Sequence, residues 1–190
     1  ASISFDGQSS TIGAILGSGW TQSVVALRNY PSGSQGIQAA RADIANAVNS
    51  GQALVSFFGH SSPSNWTRES LLTAPLVYGG LFNNAAMPTV IWQLGCYGAY
   101  FVDPNLNTIA HGLMLQSNGG GAAAILGATG LTEVSSDLAW MGALAPRLRS
   151  ERIGDAWRQA QRDLAANGPN QRDISVGGVL LGDPTMRIRQ

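Results

Sequence analysis

A single α/β domain, built on a mainly parallel sheet with helices on both faces, is what the sequence predicts, and three observations carry that expectation. Residues 53–59 (Ala-Leu-Val-Ser-Phe-Phe-Gly) and 89–95 (Thr-Val-Ile-Trp-Gln-Leu-Gly) are near-continuous apolar runs rich in β-branched and aromatic residues, the pattern of strands covered on both faces. Stretches with apolar residues at helical spacing lie before, between and after such runs. The 24 glycines are spread over many short breaks, with no repeat or low-complexity tract, as expected where strands and helices alternate.

Taken in order, residues 12–17 predict a helix, 23–27 a short strand, and 36–50 a second helix on Ile37, Ala40, Ile44, Ala47 and Val48. The runs at 53–59 and 89–95 are the two buried strands. Residues 108–117 suit a helix with Ile109, Leu113 and Met114 toward the core, which makes His111 a helix-borne polar residue rather than a catalyst. Residues 121–127 predict a buried strand, 135–148 and 153–166 amphipathic helices, and 177–188 an extended pair broken at Gly182-Asp183-Pro184, where Asp183 makes an Asx-type turn. Trp92, Trp140 and Trp157 fall at strand or helix spacing and are expected in the core.

Composition narrows the function. With 190 residues, 44% hydrophobic and 12% charged, the chain has the apolar material for one domain. Eleven acids balance eleven bases, which removes the broad positive field of non-specific nucleic-acid binding, so no nucleic-acid partner is expected. All the bases are arginine, which excludes lysine Schiff-base chemistry and a Walker-type phosphate loop. One cysteine and two distant histidines offer neither an internal disulfide nor a cysteine-rich zinc site. No apolar run reaches the ~18–20 residues of a membrane-spanning helix, so no membrane insertion is expected. The first residues, Ala-Ser-Ile-Ser-Phe-Asp, carry no signal-peptide zones; the expectation is a single domain over 1–190 cut from a longer protein, with other domains of the parent chain as neighbours.

Each buried strand ends in glycine followed by a reactive residue, His60 in one case and Cys96 in the other. Ligands of parallel sheets bind beyond the carboxyl ends of the strands, so on neighbouring strands these two side chains share one rim. A histidine there can take the thiol proton, and the thiolate is a nucleophile for acyl transfer. The plainer alternatives are a cysteine acting as a small hydrophobe and an ordinary loop histidine. A competing enzyme reading makes Ser61 the nucleophile of an elbow in Gly59-His60-Ser61-Ser62-Pro63, but Pro63 replaces the closing glycine and no acid-then-histidine pair follows late in the chain.

At these residues the sequence resembles the gingipain-type cysteine peptidases, family C25 of the caspase-like clan. Phe57-Phe58-Gly59-His60 is followed by Trp66 six residues on, and Cys96 lies 36 residues after His60 within Cys96-Tyr97-Gly98-Ala99-Tyr100-Phe101. The glycine-led strand from Asn118 to Gly127 and the closing Leu181-Gly182-Asp183-Pro184 are similar to the family's later motifs, in register and in order. The resemblance implies a caspase-like three-layer sandwich and a cysteine endopeptidase, with Cys96 as nucleophile, His60 as general acid and base, and a polypeptide substrate. It places the backbone N–H groups of Ser61 and Cys96 at the oxyanion, although the family usually has glycine where this chain has Ser61. Trp66 is open to two places, a lid on the substrate cleft or a cover for the sheet edge. Glu133 and Asp137 are the acids nearest the matching pocket wall, Asp137 being more simply a helix N-terminal charge, and Asp6 is carried as a pocket acid without a motif behind it. The resemblance further implies an extracellular or cell-surface protein. It also brings calcium into view, but no Asp-x-Asp loop is visible, so no cofactor is expected.

Overall fold

The computed structural model describes residues 6–116, 118–167 and 169–188. Its elements are α1 (Asp6–Leu16), α2 (Ser34–Asn49), β1 (Leu54–Phe58), β2 (Asn65–Trp66), β3 (Leu72–Thr73), α3 (Ala74–Tyr78), β4 (Thr89–Leu94), α4 (Ile109–Met114), β5 (Ala122–Ala128), α5 (Val134–Leu144), α6 (Ile153–Ala166), α7 (Arg172–Gly177) and β6 (Gly178–Gly182). The main sheet runs β1-β4-β5-β6, with β2 and β3 forming a separate two-stranded hairpin. β1, β4 and β5 are parallel and β6 is antiparallel to β5. The expected mainly parallel α/β architecture is therefore present.

Successive strand side chains point to opposite faces, and that alternation builds two cores. Val90, Trp92 and Leu94 of β4 and Ala124, Leu126 and Ala128 of β5 face α5 and α6, together with Trp140, Met141, Leu144 and Trp157. Trp140 lies edge-on to both Trp92 and Trp157, with centroids 5.4 and 4.8 Å apart, so the three tryptophans expected inside are one cluster. On the other face Phe57, Ile91 and Ile125 pack against Ala45 and Val48 of α2, Val77 of α3, and Ile109 and Leu113 of α4. Helices thus cover both faces, a three-layer sandwich.

The two apolar runs differ in a way their composition does not show. All six residues of β4 are buried, whereas in β1 only Phe57 is. β4 lies between two neighbours and β1 is the edge strand of the described sheet. A cavity of about 630 Å³ runs along that open edge, lined by α1, residues 20–28, β1 and His60. Residues 23–27, expected as a strand, line it without pairing: 21–26 have no regular structure and Leu27–Asn29 is a 3-10 turn. Strand propensity becomes a strand only where a ladder partner accepts it. Two further boundaries move. The helix expected over 135–148 ends at Leu144 and tightens into a 3-10 turn (Ala145–Arg147) with Pro146 inside it. The expected pair at 177–188 is one strand, β6, closed by a turn in which Asp183 Oδ1 accepts from the Thr185 N–H at 2.8 Å and from its hydroxyl at 2.7 Å. No helix among the described residues is long and apolar enough to cross a membrane.

Candidate active site

β1 and β4 pair in parallel from Leu54–Val90 to Phe58–Leu94, so His60 and Cys96 each stand two residues beyond the last pair, on adjacent strand ends. The ladder continues past the strands, since the Gly59 N–H donates to the Leu94 carbonyl at 3.1 Å. There the Ser61 hydroxyl donates to the Cys96 carbonyl at 2.7 Å and ties the histidine loop to the cysteine turn. This approach depends on Gly95, whose φ is +146°. A Cβ at Gly95 would overlap the Gly59 carbonyl oxygen and stand 2.8 Å from Ser61 Oγ. His60 is exposed and Cys96 half-buried, so the thiol is sheltered without being sealed in.

The cysteine turn is held from β5. Tyr97, left-handed at φ +57°, donates its N–H to the Gly130 carbonyl at 2.7 Å, and the Ala99 N–H donates to Ala128 at 2.9 Å. The Cys96 thiol donates to the Thr132 carbonyl, Sγ to O 3.8 Å. The histidine loop is held by the hairpin: the Thr67 N–H donates to His60 and the Ser62 N–H to Asn65, both at 2.9 Å. Ser61 faces Trp66 across this bridge as the pair that exchanges no amide bond of its own. Ser61 is not among the described non-glycine residues with positive φ, which are Thr67, Ser70 and Tyr97, so serine occupies the position without backbone strain. Among the described residues, the backbone N–H groups of Ser61 and Cys96 enter no backbone hydrogen bond.

Trp66 is 2% exposed. Its ring stacks on Phe57 at 4.4 Å and its indole N–H donates to Gln93 Oε1 at 2.5 Å. Of the two places open to it, the packed one fits this burial, and Trp66 also lines the cavity that His60 borders. Gln93, itself 1% exposed, donates from Nε2 to the Gly98 carbonyl. The indole can only donate and the carbonyl only accept, so its amide orientation is fixed by its partners. One buried side chain therefore joins the histidine hairpin to the cysteine turn. Sequence reasoning missed it, although a lone amide in an otherwise apolar strand three residues before the cysteine was a signal: such a group needs buried partners.

Glu133 stands at the N-cap of α5, is exposed, and directly follows Thr132, whose carbonyl receives the thiol. Asp137 sits in the first turn of α5 as expected, but at 3% exposure it is no solvated helix charge. Its Oδ2 accepts from the Thr132 hydroxyl at 3.0 Å. Burial pushes its carboxyl up to about 7, the Thr132 hydrogen bond pulling down and the charge of Asp173 pushing further up. Asp6 is the first residue of α1; its side chain lies outside the described residues. Ser61, the nucleophile of the elbow reading, donates its hydroxyl proton to a carbonyl rather than to a base, which disfavours that reading. Among the described residues no group of three or more His, Cys, Asp and Glu is arranged to hold a metal ion.

Comparison with known proteins agrees with this fold. No curated protein sequence matches significantly. Among solved structures, the Arg-specific cysteine proteinase gingipain R (RgpB) is similar at a TM-score of 0.67 and 20% identity, covering 77% of this chain and 36% of that one. A complex of the Porphyromonas gingivalis RgpB pro- and mature domains follows at 0.64 and 19%, covering 78% and 37%. A further structure described as a protease follows at 0.61 and 15%, covering 75% and 37%. The chain thus spans little more than a third of these neighbours, and shares with them the caspase-like fold. The model of peptidase family C25 matches residues 5–189, almost the whole sequence, and on that match the chain belongs to peptidase family C25.

Proposed function

We propose that this domain is a cysteine endopeptidase in which Cys96 Sγ attacks the scissile carbonyl and His60 takes the thiol proton and delivers it to the leaving amine. The acyl group is then held as a thioester, and His60 removes a proton from the water that hydrolyses it, returning the free thiol. The N–H groups of Ser61 and Cys96 face the developing oxyanion, a role worth about 3 kcal/mol per donor in a dry site. The single observation that carries this reading is the Ser61–Cys96 hydrogen bond of 2.7 Å across adjacent parallel strand ends, which holds the histidine and cysteine segments at one rim. Glu133, exposed and next in the chain to Thr132, is the candidate acid for a basic side chain before the cleaved bond; Asp6 stays a secondary candidate for the same task.

Residues 1–190 act, in this proposal, as one domain of a longer exported parent chain, outside the cell or on its surface, with the other domains of that chain as neighbours. A second reading, a peptidase-like module without catalysis, is favoured by one observation: the thiol is engaged with the Thr132 carbonyl. Intact mass after incubation with electrophilic peptide probes ending in arginine, lysine, aspartate or leucine separates the two. An adduct formed by the native chain and lost in both Cys96→Ala and His60→Ala supports the peptidase. No adduct with any probe, while a small neutral alkylator still labels Cys96, overturns it in favour of the module.

A further inference from the structure

The loop between β5 and α5 touches both the thiol and two acids, Asp137, which is buried, and Asp173, which is half-buried. On its inner side it receives the Tyr97 N–H at Gly130 and the Cys96 thiol at Thr132. On its outer side the Thr129 N–H and hydroxyl donate to Gly177 at 2.8 and 3.0 Å, and the Glu133 N–H donates to Asp173 Oδ2 at 2.8 Å. At its end the Thr132 hydroxyl donates to Asp137. Asp137 Oδ1 and Asp173 Oδ1 are both buried without a hydrogen-bond partner among the described residues, so each acid spends one oxygen on this loop and has nothing protein-borne to offset the other.

We infer that Asp137 is a positioning residue for Cys96, acting through Thr132: its carboxyl fixes the Thr132 side chain, and with it the carbonyl that receives the thiol. The inference rests on the peptidase reading for its consequence, not for its geometry. Asp173 from α7 is the charge that acts on Asp137; α6 brings apolar side chains to this layer, Trp157 among them, and Glu133 beside it is exposed. In neutral form Asp137 is at ease in this site and the loop is held. Ionised beside Asp173, it is a buried charge short of donors, and the loop that covers it must loosen to admit water. The Thr132 carbonyl then releases the thiol.

The test is the rate at which iodoacetamide, a neutral alkylator needing no peptidase activity, labels Cys96 between pH 5 and 9. It is run on the native chain, Asp137→Asn, Asp137→Ala and Thr132→Val, with circular dichroism as a check on folding. The native chain should show a step of about three- to tenfold, the worth of one hydrogen bond, centred near pH 7 and separate from the thiol's own ionisation. Asp137→Asn, which still accepts from Thr132, should keep the native rate at pH 5.5, where the native Asp137 carboxyl is neutral, and lose the step. Asp137→Ala and Thr132→Val should react several-fold faster at that pH. A native profile without a step, or a step that survives in Asp137→Asn, overturns the proposal. If Asp137→Ala does not fold, the presence or loss of the step in the asparagine variant decides. Failure of the peptidase reading shows separately, as peptide probes that label no variant at any pH.

Discussion

Replacing Gln93 by leucine keeps the volume of the side chain and removes its two hydrogen bonds, the indole N–H of Trp66 at 2.5 Å and the carbonyl of Gly98. Both partners are left inside: Trp66 is 2% exposed and Gly98 is buried. A buried polar group stripped of its partner costs about 1–3 kcal/mol, so the two together cost about 2–6. Leucine returns about 1 kcal/mol as extra apolar burial, leaving a loss of about 3 kcal/mol. For a chain of this size that corresponds to about 6–12 °C in Tm. Urea unfolding followed by tryptophan fluorescence gives the free energy, and a cycle with Trp66→Phe isolates the link. Phenylalanine lacks the donor, so in the leucine background the second substitution should cost about 1–2 kcal/mol less than in the native chain. Strict additivity, or a Gln93→Leu loss under about 0.5 kcal/mol, the scale of a neutral surface change, refutes the claim that this amide holds the two loops. Peptide-probe labelling should fall as well, because the hairpin carrying His60 and the turn carrying Cys96 then share one bond fewer.

Other consequences are direct. Gly95→Ala should fail to accumulate as folded protein or lose more than about 4 kcal/mol, the range of severe overpacking joined to backbone strain, as a thermal melt reports. Ser61→Ala should cost about 1 kcal/mol for its lost bond while lowering probe labelling of Cys96 several-fold; labelling unchanged beside a measurable stability loss would show that the bond holds the fold and not the site. Asp137 also makes stability depend on pH. Its carboxyl is raised from an ordinary 3.8 to about 7, so its favourable contribution is complete below about pH 4 and disappears as pH rises through 7. At about 1.36 kcal/mol per unit, the native chain loses up to about 4 kcal/mol across that window, and Asp137→Asn should flatten the curve in chemical denaturation at pH 5, 6, 7 and 8.

Much of the site was legible because it is local. A strand ending in Gly-His, another ending in Gly-Cys, and a tryptophan six residues after the histidine are contiguous patterns, and parallel pairing does the rest. The Asx turn at Asp183 was legible for the same reason, since its partner is two residues away. Trp66 was only half legible: the motif gave its position, but its neighbours Phe57 and Gln93 come from two other strands. Asp137 was seen as a helix-start acid, and its place in the first turn of α5 agrees. Its burial and its company with Asp173 depend on α7, 36 residues on along the chain, and no local pattern announces that.

By itself, then, the sequence determined most of the element types, the two-sided burial of the sheet, the core places of the tryptophans and the strand-end places of His60 and Cys96, because periodicity and strand-end motifs are written in neighbouring residues. Only the tertiary structure decided that β1 is an edge and β4 a centre, that residues 23–27 find no ladder, that Ser61 spends its hydroxyl on the Cys96 carbonyl, that Gln93 and Thr132 bond to the cysteine turn, and that Asp137 bonds to Thr132. The reason is physical: a buried polar atom must be satisfied by whatever the fold brings within about 3 Å, and in this chain those partners lie between 5 and 36 residues away.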